Sequence, residues 1–130
     1  MRGEIKYKDR ARQLRDFTGL RFGSITPTDI DGFVEFRDKL FVWIEAKLTG
    51  AELLQGQRMA LERQCDAVRE TGRMAVVLVI EHDTEPEEDI DFASCPVREL
   101  RHHRKWRPPD EPITCKDAIA ALVQAAHILS

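Results

Sequence analysis

The run Met74-Ala75-Val76-Val77-Leu78-Val79-Ile80 holds no polar residue and is dominated by β-branched side chains. Such side chains suit an extended backbone, and a strand with no polar alternate position must be covered on both faces. The segment therefore predicts a central strand with packing above and below it. It is far shorter than the roughly 20 apolar residues a bilayer span requires.

The neighbouring segments predict the rest. Tyr7, Ala11, Leu14 and Phe17 recur at helical spacing, so a helix is expected over about Ile5 to Phe17, with Gly19 as its stop. Leu20 to Thr28, with Gly23 and Pro27, reads as a turn or short extended piece. Asp31 to Phe36 and Leu40 to Lys47 read as two strands joined by the polar turn Arg37-Asp38-Lys39. Ala51 to Glu70 reads as a long helix closed by Gly72, and Pro96 to His102 as a further strand. Thr114 to Leu129 reads as a last helix, with Thr114 as N-cap and Asp117 three residues on. This order mixes hairpin and crossover connections, so the expected class is α/β, a mixed central sheet flanked by helices. At 130 residues the chain has the length of one domain, 1–130.

Net charge is −3, but the charge is segregated. Arg2 to Arg21 is basic, Glu81 to Asp91 carries seven acids and no lysine or arginine, and Arg98 to Arg107 is basic again. Two basic stretches on one face would attract a phosphate backbone, although a lone charge run is more often a solvated surface. Arg12, Arg15, Arg101, Arg104, Lys105 and Arg107 are the candidate contacts. His102-His103 beside Trp106 is a weaker one. Cys65, Cys95 and Cys115 form no CxxC and read as reduced structural thiols. No apolar signal core follows the N-terminal charges, so a cytoplasmic, non-membrane protein is expected.

Chemistry concentrates at one end of the expected hairpin. If the two strands pair antiparallel, the start of the first, Asp29-Ile30-Asp31, lies beside the end of the second, Glu45-Ala46-Lys47. Residues two apart share a face, so Glu45 with Lys47, and Asp29 with Asp31, point the same way. Clustered carboxylates need a proton or a cation to coexist, and Mg²⁺ prefers such oxygens while keeping waters for a phosphate substrate. Lys47 is placed to orient a water, act as a base or stabilise charge. The plainer alternatives are turn-forming aspartates after Pro27 and a same-face ion pair. Yet a charged triplet ending the apolar strand Phe41-Val42-Trp43-Ile44 is unusual unless paired or functional.

Asp29-Ile30-Asp31-Gly32 followed by an apolar strand ending in Glu45-Ala46-Lys47 resembles the PD-(D/E)XK nuclease superfamily. Phe17 to Gly23 and Thr26 to Gly32 further resemble small phage and prophage members. The resemblance covers about Ile5 to Ile80. It implies a restriction-endonuclease-like core (αβββαβ), Mg²⁺ or Mn²⁺ held by Asp31 and Glu45, and a catalytic role for Lys47. The family's Pro-Asp is here spread over Pro27-Thr28-Asp29-Ile30-Asp31, leaving Asp29 as second choice of ligand. Relatives also carry a glutamine on the following helix. Gln55, Gln57 and Gln64 are candidates, and Gln57 is preferred.

The expected activity is thus metal-dependent endonucleolytic hydrolysis of DNA, with a homodimer expected for cutting two strands. Two rivals remain open: a retired nuclease fold serving as a nucleic-acid- or protein-binding module, and a hydrolase of another phosphate ester.

Overall fold

The computed structural model describes residues 13–128. Among these residues the chain forms a five-stranded sheet in the order β1-β2-β3-β4-β5. The strands are β1 (Gly32–Phe36), β2 (Leu40–Leu48), β3 (Met74–His82), β4 (Val97–His102) and β5 (Lys105–Arg107). Helix α1 (Gln55–Arg69) connects β2 to β3, and α2 (Cys115–Ile128) follows β5. The sheet is mixed: β2 and β3 run parallel, while β1–β2, β3–β4 and β4–β5 are antiparallel. The α/β class with a mixed, helix-flanked sheet is as expected.

Alternation along β2 and β3 builds the two cores. Leu40, Val42 and Ile44 point with Val76, Leu78 and Ile80 toward α2, where Ala118 and Ala126 complete the cluster. Trp43 points with Ala75 and Val77 toward Leu61 and Cys65 of α1. Residues 75 to 80 are all essentially inaccessible to solvent, as the apolar run required. Fully burying a Val or Leu side chain stabilises by about 1.5–3 kcal/mol, so β3 anchors the molecule.

Two boundaries differ from the sequence reading. Residues 13–17 are not helical, and Thr18–Leu20 forms a 3-10 turn. The remainder of the helix expected over Ile5 to Phe17 lies outside the described residues. The long helix begins at Gln55 rather than Ala51, because Gly50 (φ 85°) turns the chain and Ala51–Leu54 stays non-helical. Strand β5 was not foreseen. Its hairpin turns through His103 and Arg104 with φ of 53° and 64°, a conformation usually signalled by Asn-Gly. Two strands, not three, separate the 3-10 turn from α1 among the described residues. Thr114 does cap α2, accepting from the Asp117 N–H at 3.2 Å.

Candidate active site

The β1–β2 register sets the geometry. Gly32 pairs with Ile44 and Phe33 with Trp43, so one further step places Asp31 across from Glu45. Both carboxylates stand on the face that carries Trp43, under the start of α1. Asp31 Oδ2 accepts the Ala46 N–H at 2.8 Å, which pins the open end of the hairpin.

Glu45 is the buried charged residue of the core, 3% exposed. Gln57, in the first turn of α1, donates its side-chain N–H to Glu45 Oε1. Glu45 Oε2 and Gln57 Oε1 are buried and have no hydrogen-bond partner among the described residues. Burial, and next the adjacent Asp31 charge, push the Glu45 carboxyl up to about 7, against the opposing pull of Lys47. Two side-chain oxygens without donors beside a second carboxylate form a surplus of acceptors. Such a surplus is neutralised by a proton or filled by a hard cation. The donor set is two carboxylates and one amide oxygen. Among the described residues, no group of three or more His, Cys, Asp or Glu converges.

Lys47 shares the Glu45 face two residues further along β2, half-buried. It opens into a cleft of about 640 Å³ lined also by Ser24–Asp29, Leu54, Gly56, Gln57 and Arg63. Asp29 reaches this cleft, but its Oδ2 is bonded to Arg15 at 2.7 Å. Asp31 therefore stands with Glu45 while Asp29 is held by a cation of its own. The structure thus brings together Asp31, Glu45, Lys47 and Gln57, with Asp29 at the rim. Arg63 and the Ser24–Thr28 wall were not foreseen. Arg63 lies six residues after Gln57 on α1, and no spacing rule singles it out.

The basic stretch from Arg98 to Arg107 is committed elsewhere. Arg98 bonds Glu81 at 3.0 Å, Arg104 bonds Glu70 at 2.6 Å and Arg107 meets Asp110 at 3.4 Å. Arg101 holds Asp66 through two nitrogens, at 3.1 and 2.7 Å. The Arg101 and Arg104 pairs belong to a ladder between α1 with its C-cap and the β4–β5 hairpin. Arg58 bonds Glu99 at 2.5 Å and lies 4.4 Å over the Trp106 ring, whose Nε1–H donates to Glu62 at 2.6 Å. Arg58, Glu62, Asp66 and Glu70 recur every four residues, so one stripe of α1 faces β4 and β5. The turn holding Arg104, with Lys105 after it, lies beyond Arg101, which is level with Val77 and Trp43, at the end of the sheet away from Glu45. Arg12 is outside the described residues. His102 is held down to about 4 by burial first and then by the nearby His103, Arg69 and Arg107. It is therefore neutral near pH 7. His82 ends β3 and hydrogen-bonds Thr84 at 2.9 Å.

Compared with protein-family models, with curated proteins and with solved structures, the chain matches none. Among the described residues, no helix is long and apolar enough to cross a membrane.

Proposed function

We propose that the chain is a metal-dependent nuclease of the PD-(D/E)XK kind, hydrolysing DNA phosphodiester bonds. One observation carries the reading. The sheet end gathers Asp31, Glu45 and Lys47, and leaves a buried Glu45 oxygen without a donor.

In this reading Asp31 and Glu45 hold Mg²⁺ or Mn²⁺. When bound, such an ion lowers the pKa of a coordinated water and offsets phosphate charge. Gln57 fixes the Glu45 carboxylate through Oε1, which leaves Oε2 for the ion. The Ala46 N–H orients Asp31 in the same way. Lys47 brings a positive charge to the cleft wall, where the attacked phosphate gains negative charge in the transition state. Its ammonium also offsets the acidic pair before substrate arrives.

The commitment of Arg98, Arg101, Arg104 and Arg107 to internal ion pairs favours a second reading, hydrolysis of a smaller phosphate ester at the same site. Incubation with plasmid, single-stranded and branched DNA plus Mn²⁺, beside Lys47→Ala, tests the first. The expected result is metal-dependent cleavage that falls about a hundredfold or more in the variant. Intact DNA in every lane, together with turnover of a small phosphodiester, would move the conclusion to the second reading. Cleavage unchanged by Lys47→Ala would reject the assignment of that residue.

A further inference from the structure

Phe33 is 51% exposed, although it lies in a strand and its ring is held in place. It sits 5.4 Å from the Trp43 ring at 51° and 6.1 Å from the Phe41 ring at 43°. The Trp43 indole N–H donates to Gln64 of α1 at 3.1 Å, which fixes the ring beside Phe33. β1 is an edge strand among the described residues, with β2 as its one neighbour in the sheet there. Phe33 lies two residues from Asp31 on the same face, about 7 Å along the strand.

Among the described residues, two cations line the cleft. Lys47 and Arg63 line the cleft and have no ion-pair partner among the described residues. The arginines of β4, β5 and their turn are each paired with a carboxylate, as is Arg15. Binding a duplex rests on many phosphate contacts, whereas binding a single strand draws on bases stacked over aromatic rings. A paired base cannot reach Phe33, because its faces are already stacked within the duplex.

We propose that an unpaired DNA strand runs along the β1 edge to the cleft, with one base stacked on Phe33 outside the cleft lining and the phosphate beside it at Asp31, Glu45 and Lys47. This inference rests on the nuclease reading and names its substrate class. A second copy of the chain is the other candidate occupant. A copy seated along the β1 edge would cap Asp31 and close the site to any substrate, whereas an unpaired strand leaves it in use.

The test follows Mn²⁺-dependent cleavage of a labelled single-stranded oligonucleotide and of its duplex by the native protein, Phe33→Ala and Phe33→Trp. Binding of the same strands to the native protein, Phe33→Ala and Phe33→Trp, with Ca²⁺ in place of Mn²⁺, is read by fluorescence anisotropy. The native protein is expected to cut the single strand about tenfold faster than the duplex. Phe33→Ala should lose most of that preference through weaker binding, and Phe33→Trp should keep it. Equal cleavage of both forms, or a preference unaltered by Phe33→Ala, overturns the inference and leaves the nuclease reading standing. No cleavage of either strand overturns the nuclease reading, and the inference with it. A dimer that Phe33→Ala converts to monomer, with cleavage unchanged, assigns the platform to a second copy and overturns the inference.

Discussion

Burying Glu45 beside Asp31 ties the stability of the metal-free protein to pH. The carboxyl lies at about 7 in the folded state, against 4.5 as its ordinary value. Below pH 4.5 it is protonated in both states. Between 4.5 and 7 the unfolded chain releases a proton that the folded chain keeps, so stability falls as pH rises through this window. The loss is on the order of 3 kcal/mol and levels off above about 7. Urea unfolding at a series of pH values is expected to show this fall in the native protein and a much flatter profile in Glu45→Gln. A fall of the same size in Glu45→Gln would assign it to another group. The pairing of Glu45 with Asp31 was readable from alternation and hairpin register alone. Its burial under Gln57 was not, because three glutamines compete on α1 and only packing selects among them. The diversion of Asp29 to Arg15 also escaped the sequence, since that contact spans a segment without regular periodicity.

The central elements were legible where the pattern was strong. β2 and β3 announce themselves by apolar, β-branched runs, and α1 by its recurring apolar positions. The start of α1 was misplaced because Leu54, at its N-cap, supplies no capping side chain. β5 escaped because His103-Arg104 carries none of the usual turn chemistry. The charge ladder along α1 leads to a contrast between two arginines. Arg101 and Asp66 are 12% and 20% exposed, so Arg101→Ala leaves a poorly solvated carboxylate and should cost about 2 kcal/mol. Arg104 and Glu70 are 58% and 64% exposed, and Arg104→Ala should cost under about 1 kcal/mol. Chemical denaturation of both variants measures the difference, and equal costs would show that the ladder is not graded by burial. Leu61, fully buried where α1 meets Trp43 and Val77, sets the seat of the helix on the sheet. Leu61→Ala is expected to cost about 3 kcal/mol in the same measurement. It should also weaken Mn²⁺ binding, because Gln57 rides on that helix; unchanged binding would detach Gln57 from the site.

At the scale of the whole molecule, among the described residues, the arginines of the run Arg98–Arg107 that look like an open patch in the sequence are each paired with an acid. Arg98 meets Glu81, Arg101 meets Asp66 and Arg104 meets Glu70. The sequence shows the runs but not their partners, which lie 17 to 41 residues away for the pairs Arg98–Glu81 and Arg58–Glu99. One consequence is a shallow salt dependence. With Lys47 and Arg63 as the cleft cations, the log–log slope of single-strand affinity against salt should be about −1 to −2. A slope several times steeper would mean that a basic surface beyond this cleft carries the binding. The central claim, that Asp31 and Glu45 share a divalent cation, is tested most directly by Mn²⁺ titration calorimetry at pH 8 on the native protein and on Asp31→Asn. The account predicts saturable binding to the native protein and its loss, or at least a tenfold weakening, in a folded Asp31→Asn. No binding to the native protein, or binding that Asp31→Asn leaves untouched, would contradict it.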